Sequence, residues 1–378
     1  MRGKLAITAA IDAEQASAET ELGGDSHHGR DIQRILLVTD AWHPQVNGVV
    51  RTLERLSENL PAMGVETVFL TPAGFRSVAM PTYPEIRLAL TTPGEVRRQI
   101  VAARADHVHI VTEGPLGLMA RLARLKEGRP FTTSYHTRFP EYLRARLPVP
   151  ERWTYAWLRR FHNAAAATLV ATPSLAAELA GKGFTKLKPW TRGVNTEVFN
   201  PSRRGDLGLQ RPIFLYVGRV AVEKNLGAFL GLDLPGSKVV VGDGPAMAQL
   251  KARYPDAHFL GEHTGLELAR IYASADVFVF PSRTDTFGIV LLEALASGLP
   301  VAAYPVTGPI DVVGDGTAGV LSEDLGVAAR AALAIDRQKA REKALGYSWK
   351  ACAEMFLGHV QEVYAVPQAA PTPAGSAP

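Results

Sequence analysis

The chain has 378 residues, 47% of them hydrophobic and 21% charged, with a formal net charge of +4. That length exceeds one ordinary hydrophobic core and suits two domains, and the mild charge argues against wholesale nucleic-acid binding while leaving room for a local basic patch. No apolar run approaches the roughly 20 residues of a membrane-spanning helix, and the one cysteine, Cys352, excludes an internal disulfide and suits a reducing cytoplasm.

Residues 1–30 are polar, contain Gly and His, and carry no period, so they are expected to be disordered. Their short apolar patch is interrupted by Asp12 and lacks a signal core, which reads as an uncleaved, unexported start. From 31 to 199 the runs "RILLVTD", "TVFLTP", "DHVHIVT" and "ATLVATP" alternate with helix-like segments. A Pro/Arg-rich break at 200–212 is the best linker candidate. From 213 to 340 the alternation resumes with "IFLYVGR", "KVVVGDG", "AHFLG", "DVFVFPS" and "PVAAYPV". A helix-like stretch at 341–365 closes the ordered chain, and the Pro/Ala-rich 366–378 is expected to be disordered. Continuous apolar strands between helices argue for parallel sheets covered on both faces. The fold class is α/β: two tandem doubly wound, Rossmann-like domains with the site in the cleft between them.

Candidate chemistry clusters at strand ends. Asn47-Gly48 precedes an amphipathic helix; it either exposes backbone N–H groups toward the cleft or is only a tight turn. Glu113 and His136 each follow a strand, and Glu113 could equally cap the helix after Pro115. Between Arg138 and His162 six arginines stand against two glutamates, and Trp153, Trp157 and Phe161 recur at four-residue spacing. With Arg152, Arg159 and Arg160 nearby, this suits an anionic membrane surface or, more plainly, a core-facing stripe.

In the second half, Gly218, Arg219 and Lys224 lie just past a strand. There Arg supplies a planar fork and Lys a point charge to a diphosphate; the alternative is a solvated basic loop with Lys224 paired to Glu223. Gly242 and Gly244 permit close backbone approach, and the loop Gly261–Thr264 could offer backbone groups to a base. In "SRTDTFGIVLLEALASGLPV" a helix is predicted from Thr286 or Phe287 to Gly298, with Asp285 at its start and Glu293 roughly two turns in. Its first N–H groups, at Phe287, Gly288, Ile289 and Val290, form an anion site. The plain reading makes Asp285 an N-cap and Glu293 a buried acid paired with a base.

Together these residues resemble the retaining glycosyltransferases of family 4, with the GT-B fold, over about residues 33 to 364. Asp285, seven residues and Glu293, then "ALASGLPV", look like the family's acid-x7-acid motif. "NGV" from Asn47, "YHTRFPEYL", "GVNTEVFNP" and "VGR" followed by "EKN" support it. The likeness is nearest to the branch of sulfoquinovosyl-diacylglycerol synthases and GDP-mannose-dependent α-mannosyltransferases.

The resemblance implies a nucleoside-diphospho-sugar donor, either UDP- or GDP-linked, and neither cofactor nor metal. It puts Arg219 and Lys224 on the diphosphate, Asp285 on the transferred sugar and Glu293 on the ribose. Asn47, Gly48, Gly218, Gly261 and Phe287 to Val290 would line the donor, His136 would approach its sugar, and Glu113 and Arg138 would lie on the acceptor side. Retention would follow front-face attack, with a donor phosphate oxygen taking the acceptor's proton. The segment 341–365 would cross back to the first domain.

The acceptor expected first is a membrane lipid, diacylglycerol, receiving a hexosyl or uronosyl group. The enzyme would then sit on the cytoplasmic face of the inner membrane, touching anionic lipid through Arg152, Trp153, Trp157, Arg159 and Arg160. GDP-mannose-dependent α-mannosyl transfer is the alternative, and a nucleotide-sugar epimerase or sensor stands as another class. One departure is Asp285, where the family usually has glutamate: its arm is one methylene shorter, which bears on the donor sugar.

Overall fold

The computed structural model describes residues 32–45, 47–80, 83–144, 149–314 and 316–365; the two ends expected to be disordered lie outside them. The first half contributes β1 (Arg34–Val38), β2 (Glu66–Leu70), β3 (Ser77–Met80), β4 (Tyr83–Ala89), β5 (His107–Ile110), β6 (Thr132–Tyr135), β7 (Ala167–Val170) and β8 (Leu187–Pro189). The second contributes β9 (Ile213–Val217), β10 (Ser237–Val241), β11 (His258–Gly261), β12 (Val277–Phe280), β13 (Val301–Ala303) and β14 (Gly319–Leu321).

Two six-stranded sheets form, ordered β2-β1-β5-β6-β7-β8 and β11-β10-β9-β12-β13-β14, every pairing parallel. Parallel strands need helical crossovers, which cover both faces and explain why β5, β9 and β12 are buried along their whole length. Strand order reverses between β1 and β5 and again between β9 and β12. Ligands of open α/β sheets bind in the crevice outside the strand ends at such a switch point. Among the described residues no helix is long and apolar enough to cross a membrane.

Five strands escaped the list of apolar runs. β3 and β4 pair antiparallel as a separate two-stranded ribbon, and β8 and β14 are only three residues long. β6 reads Thr-Thr-Ser-Tyr, polar by composition, yet all four residues are buried. The hydroxyls of Thr132, Thr133 and Ser134 have partners inside. Tyr364 donates its phenol to the Asp106 carbonyl at 3.3 Å, and a carbonyl only accepts. The Tyr364 oxygen therefore accepts from His107 Nδ1–H (2.9 Å), leaving His107 Nε2 to accept from Thr132 Oγ1 (2.7 Å). The Thr132 oxygen then accepts from His109 Nδ1–H (2.7 Å), and His109 Nε2 accepts from Ser134 Oγ (2.8 Å). One polarity runs through the whole chain of bonds, and both imidazoles in it are neutral.

Tyr364 reaches this chain because the helix Trp349–Glu362 lies on the first domain. There Cys352, Phe356 and Val360 join Ile35, Leu53 and Trp190 in one cluster. Trp190 Nε1 donates to the Cys352 carbonyl at 3.0 Å. The backbone thus passes between the domains twice, and the passages touch: Val194 N donates to the Tyr347 carbonyl at 3.2 Å. A Cβ on Gly193 would fall 2.3 Å from Trp349 N, so only glycine admits this approach.

Burial holds His107 well below the ordinary imidazole value and His109 down to about 3. A folded-state value below the unfolded one means the unfolded chain binds more protons in between. Stability is then full above about pH 6.5 and declines as pH falls, by up to about 1.4 kcal/mol per pH unit for each such ring. Urea unfolding between about pH 7 and about pH 5 should give a smaller pH slope for His109→Gln than for the parent. An unchanged slope would remove this histidine from the account.

Candidate active site

The second domain offers a floor of strand ends. After β9 the chain turns at Gly218, whose φ of 148° and close neighbour Gly242 leave no room for a side chain: a Cβ on Gly242 would meet the Gly218 carbonyl at 2.0 Å. Arg219 follows, its carbonyl accepting from Tyr216 Oη at 2.9 Å. The short helical turn Val222–Lys224 then brings Lys224 Nζ to Asp285 Oδ1 at 2.5 Å, with each side chain 18% exposed. Lys224 is thus drawn into the site toward Asp285. Gly261 engages its carbonyl with Gly242 N–H at 2.7 Å, so that oxygen closes the strand edge.

Asp285 caps no helix. The helix begins at Ile289 and ends at Ala296, later and shorter than the predicted span, because Gly288 sits at φ 82° in the left-handed region and interrupts the run. Phe287 and Gly288 therefore belong to the preceding loop. Phe287 is buried with its ring edge toward Tyr347. Ile289 and Val290 carry the leading N–H groups, and Glu293 lies a little over one turn in. Asp285 Oδ2 is buried and accepts no hydrogen bond among the described residues.

In the first domain, Asn47 is the N-cap of the helix Gly48–Asn59, its Oδ1 accepting from Val49 N and Val50 N at 3.0 Å each. Those two N–H groups are spent within the helix and are not presented to the cleft. Glu113 does not cap the helix Pro115–Glu127. Asp40 does so, accepting from Leu116 N at 2.9 Å and Gly117 N at 3.2 Å, while Glu113 contacts the buried His162 Nε2 at 3.0 Å. Arg138 has its fork on Glu178, at 3.0 and 2.6 Å, which ties it to the domain's own framework.

His136 stands at the end of β6, where the sequence reading put it. Arg192 Nη2 donates to its Nδ1 at 3.2 Å. A guanidinium only donates, so the ring proton sits on Nε2, and burial, then Arg192, hold the imidazole neutral, well below its usual value. His136 is therefore fixed as an Nε2–H donor and cannot serve as a base through Nδ1. That Nε2 is buried and makes no hydrogen bond among the described residues.

Contacts across the cleft bring the two halves of the site together. Thr286 Oγ1, beside Asp285, donates to the His136 carbonyl at 2.7 Å. A Cβ on Gly48 would lie 3.6 Å from Ile289 Cδ1. Arg51 Nη1 donates to Glu293 Oε1 at 2.9 Å, and Tyr272 Oη to Glu293 Oε2 at 3.1 Å. Ser174 gives its N–H and hydroxyl to Asp311, at 3.0 and 2.5 Å. Glu293 is thus a buried acid paired with a base, and the base comes from the other domain. Sequence reasoning missed Arg51, Tyr272, Thr286 and Arg192; only Arg51 left a signal, one helical turn past Asn47.

The helix Glu151–His162 divides its aromatics. Phe161 is buried, whereas Trp153 is 62% and Trp157 39% exposed. Arg152, Arg159 and Arg160 are exposed beside them, with the Arg152 guanidinium 5.8 Å from the Trp153 ring.

Comparison with known proteins identifies the family and the fold. Residues 46–198 match the family described as Glycosyltransferase Family 4, and residues 211–337 match Glycosyl transferases group 1. A GDP-mannose-dependent alpha-mannosyltransferase of Mycobacterium tuberculosis is 33% identical over 365 residues, spanning 87% of this chain and 97% of that protein. The sulfoquinovosyl transferase SQD2 of Arabidopsis thaliana is 29% identical over 346 residues, 82% of this chain and 66% of that one. The crystal structure of Anabaena Alr3699/HepE in complex with UDP and glucose shares the fold, with a TM-score of 0.65 and 14% identity over 87% of this chain and 100% of that one.

The Lys224–Asp285 pair has a measurable signature. Lys224→Met strands a largely buried carboxylate and should cost about 1–3 kcal/mol in urea unfolding, while adding Asp285→Asn should restore most of it. Additive losses in the double variant would mean the two groups do not depend on each other.

Proposed function

Because the chain belongs to glycosyltransferase family 4, we propose that it moves a mannosyl group from GDP-mannose to a glycolipid acceptor held at a membrane surface. Glycosyl transfer itself follows from the family. The donor is carried by one observation: identity of 33% with a GDP-mannose-dependent mannosyltransferase across 97% of that relative. This corrects the ranking drawn from sequence, which put transfer to diacylglycerol first. Hexosyl or uronosyl transfer to diacylglycerol remains the second reading, favoured by the 29% identity with a sulfoquinovosyl transferase.

In the proposed reaction the bond from the sugar's anomeric carbon to the diphosphate breaks and one to the acceptor oxygen forms on the same face. A donor phosphate oxygen takes the acceptor's proton. Negative charge grows on the leaving diphosphate, so Arg219, Lys224 and the leading N–H groups at Ile289 and Val290 stabilise the transition state more than the ground state. Among the buried side-chain atoms without a hydrogen bond in the described residues are His136 Nε2 and Asp285 Oδ2; in this reading they serve as a donor and an acceptor to one substrate. A sugar bearing vicinal hydroxyls meets both. Asp285 thereby contacts the transferred sugar, and its short arm makes it the first place to look for donor choice.

The acceptor reading rests on the exposed Trp153 and Trp157 among arginines. Aromatic rings suit the headgroup boundary, and each basic residue adds about 1 kcal/mol on an anionic leaflet. The protein would then be a peripheral enzyme on the cytoplasmic face of the inner membrane.

Incubation with GDP-mannose, UDP-glucose and UDP-sulfoquinovose, each with extracted membrane lipid, should release nucleoside diphosphate only from GDP-mannose with acceptor present. An isomerised donor would favour an epimerase, and no product would favour a sensor. Arg219→Ala and Lys224→Ala should each lower kcat at least about a hundredfold with the fold retained by circular dichroism; near-normal turnover in the double variant would sink their assignment. Sedimentation with anionic vesicles should recover the protein, and Trp153→Ala with Trp157→Ala should reduce recovery. Equal, negligible binding to anionic and neutral vesicles would remove the membrane from this reading.

A further inference from the structure

We propose that Arg51 is a positioning residue of the donor site, one that holds Glu293 from the opposite domain and so couples donor binding to closure of the cleft. The inference rests on the reading of Glu293 as the contact to the donor's ribose.

Glu293 is 4% exposed and sits on a helix of the second domain. Burying an ionised carboxylate is costly unless it is paired and hydrogen-bonded. Within its own domain Glu293 receives the Tyr272 hydroxyl, a neutral donor at 3.1 Å. Its counter-charge, Arg51 Nη1 at 2.9 Å, comes from the helix Gly48–Asn59 of the first domain. Arg55, on that helix, adds a weaker attraction of the same sign. Burial raises the Glu293 value, and Arg51 is the strongest influence opposing it.

A carboxylate accepts at about four positions. Arg51 and Tyr272 take one on each oxygen, which leaves one on each oxygen for a vicinal diol. Arg51 does not compete with a ribose; it keeps the acceptor ionised and oriented for it. When the domains part, Arg51 leaves with its helix, and Glu293 loses its charge partner and keeps only the Tyr272 hydroxyl. Donor binding and closure therefore favour each other, and a coupling of this kind is reciprocal. The neighbouring contact between Gly48 and Ile289 locates the same approach of the two helices at the leading N–H groups.

The test is calorimetric titration of the whole chain with GDP and with UDP, alongside solution scattering with and without nucleotide. Arg51→Ala should weaken nucleotide binding about tenfold and abolish the nucleotide-dependent compaction. The defect should deepen from about pH 8 to about pH 6, because Glu293 without its cation takes up a proton at higher pH. Of the other groups facing Glu293, Arg55 stays charged and Tyr272 neutral across that range. Arg51→Lys, which keeps the charge but not the fork, should recover part of the affinity and carries the test should the alanine variant fold poorly.

Arg51 variants within twofold of the parent at both pH values, with compaction intact, would overturn the inference. Glu293→Gln separates the two levels. If it binds nucleotide as the parent does, the reading of Glu293 falls, and the role of Arg51 falls with it. If it binds weakly while Arg51→Ala does not, only the role of Arg51 is lost.

Discussion

Parallel strands all point their carboxyl ends the same way, and in this protein everything chemical follows from two such sheets meeting at those ends. The geometry places loops, not strands, in the cleft, and lets each domain bring groups the other lacks. Gly218 to Lys224, Asp285 and the helix starting at Ile289 come from one sheet. His136, Asn47 and Arg51 come from the other. Neither set is a complete site alone. Thr286, beside Asp285, ties the two loops together by donating to the His136 carbonyl.

The same arrangement assigns protons without any acid–base residue. Arg192 fixes the tautomer of His136, Lys224 keeps Asp285 in company, and Arg51 does so for Glu293. Each of these three groups has a cation within hydrogen-bond distance, behind it or across the cleft. Such an arrangement suits the proposed reaction, in which the diphosphate would act as the base and the protein would orient donors and acceptors around it.

Much of this was legible in the amino acids. Nine apolar runs read as strands are strands, because strands of parallel sheets covered on both faces tend to read as continuous apolar runs. The Asp285–Glu293 spacing and the Arg219–Lys224 pair stood out because charged residues beside apolar strands need a reason. What stayed hidden was the partner of each. The polar run Thr132–Ser134 is buried because His107, His109 and His162, distant in sequence, pair with its hydroxyls. The position of Gly288 deferred the helix start by two or three residues, which turned Asp285 from an expected cap into a partner of Lys224. Glu113 looked like a cap until Asp40, more than seventy positions earlier, was found doing that work. Long-range pairing is set by topology, and local pattern carries no record of it.

The two chain passages between the domains, joined where Val194 meets Tyr347 and packed where Gly193 meets Trp349, have a mechanical consequence. A single connecting strand would let the domains twist and slide freely about it. Two adjacent passages restrain torsion more than one would and favour a swing about the line they share, like a door on a pair of hinges. Such a swing carries Arg51 away from Glu293 and Thr286 away from His136 along arcs about a common axis. A swing of this kind would part both contacts together, so that one made at Arg51 and one made at Thr286 would act on the same motion.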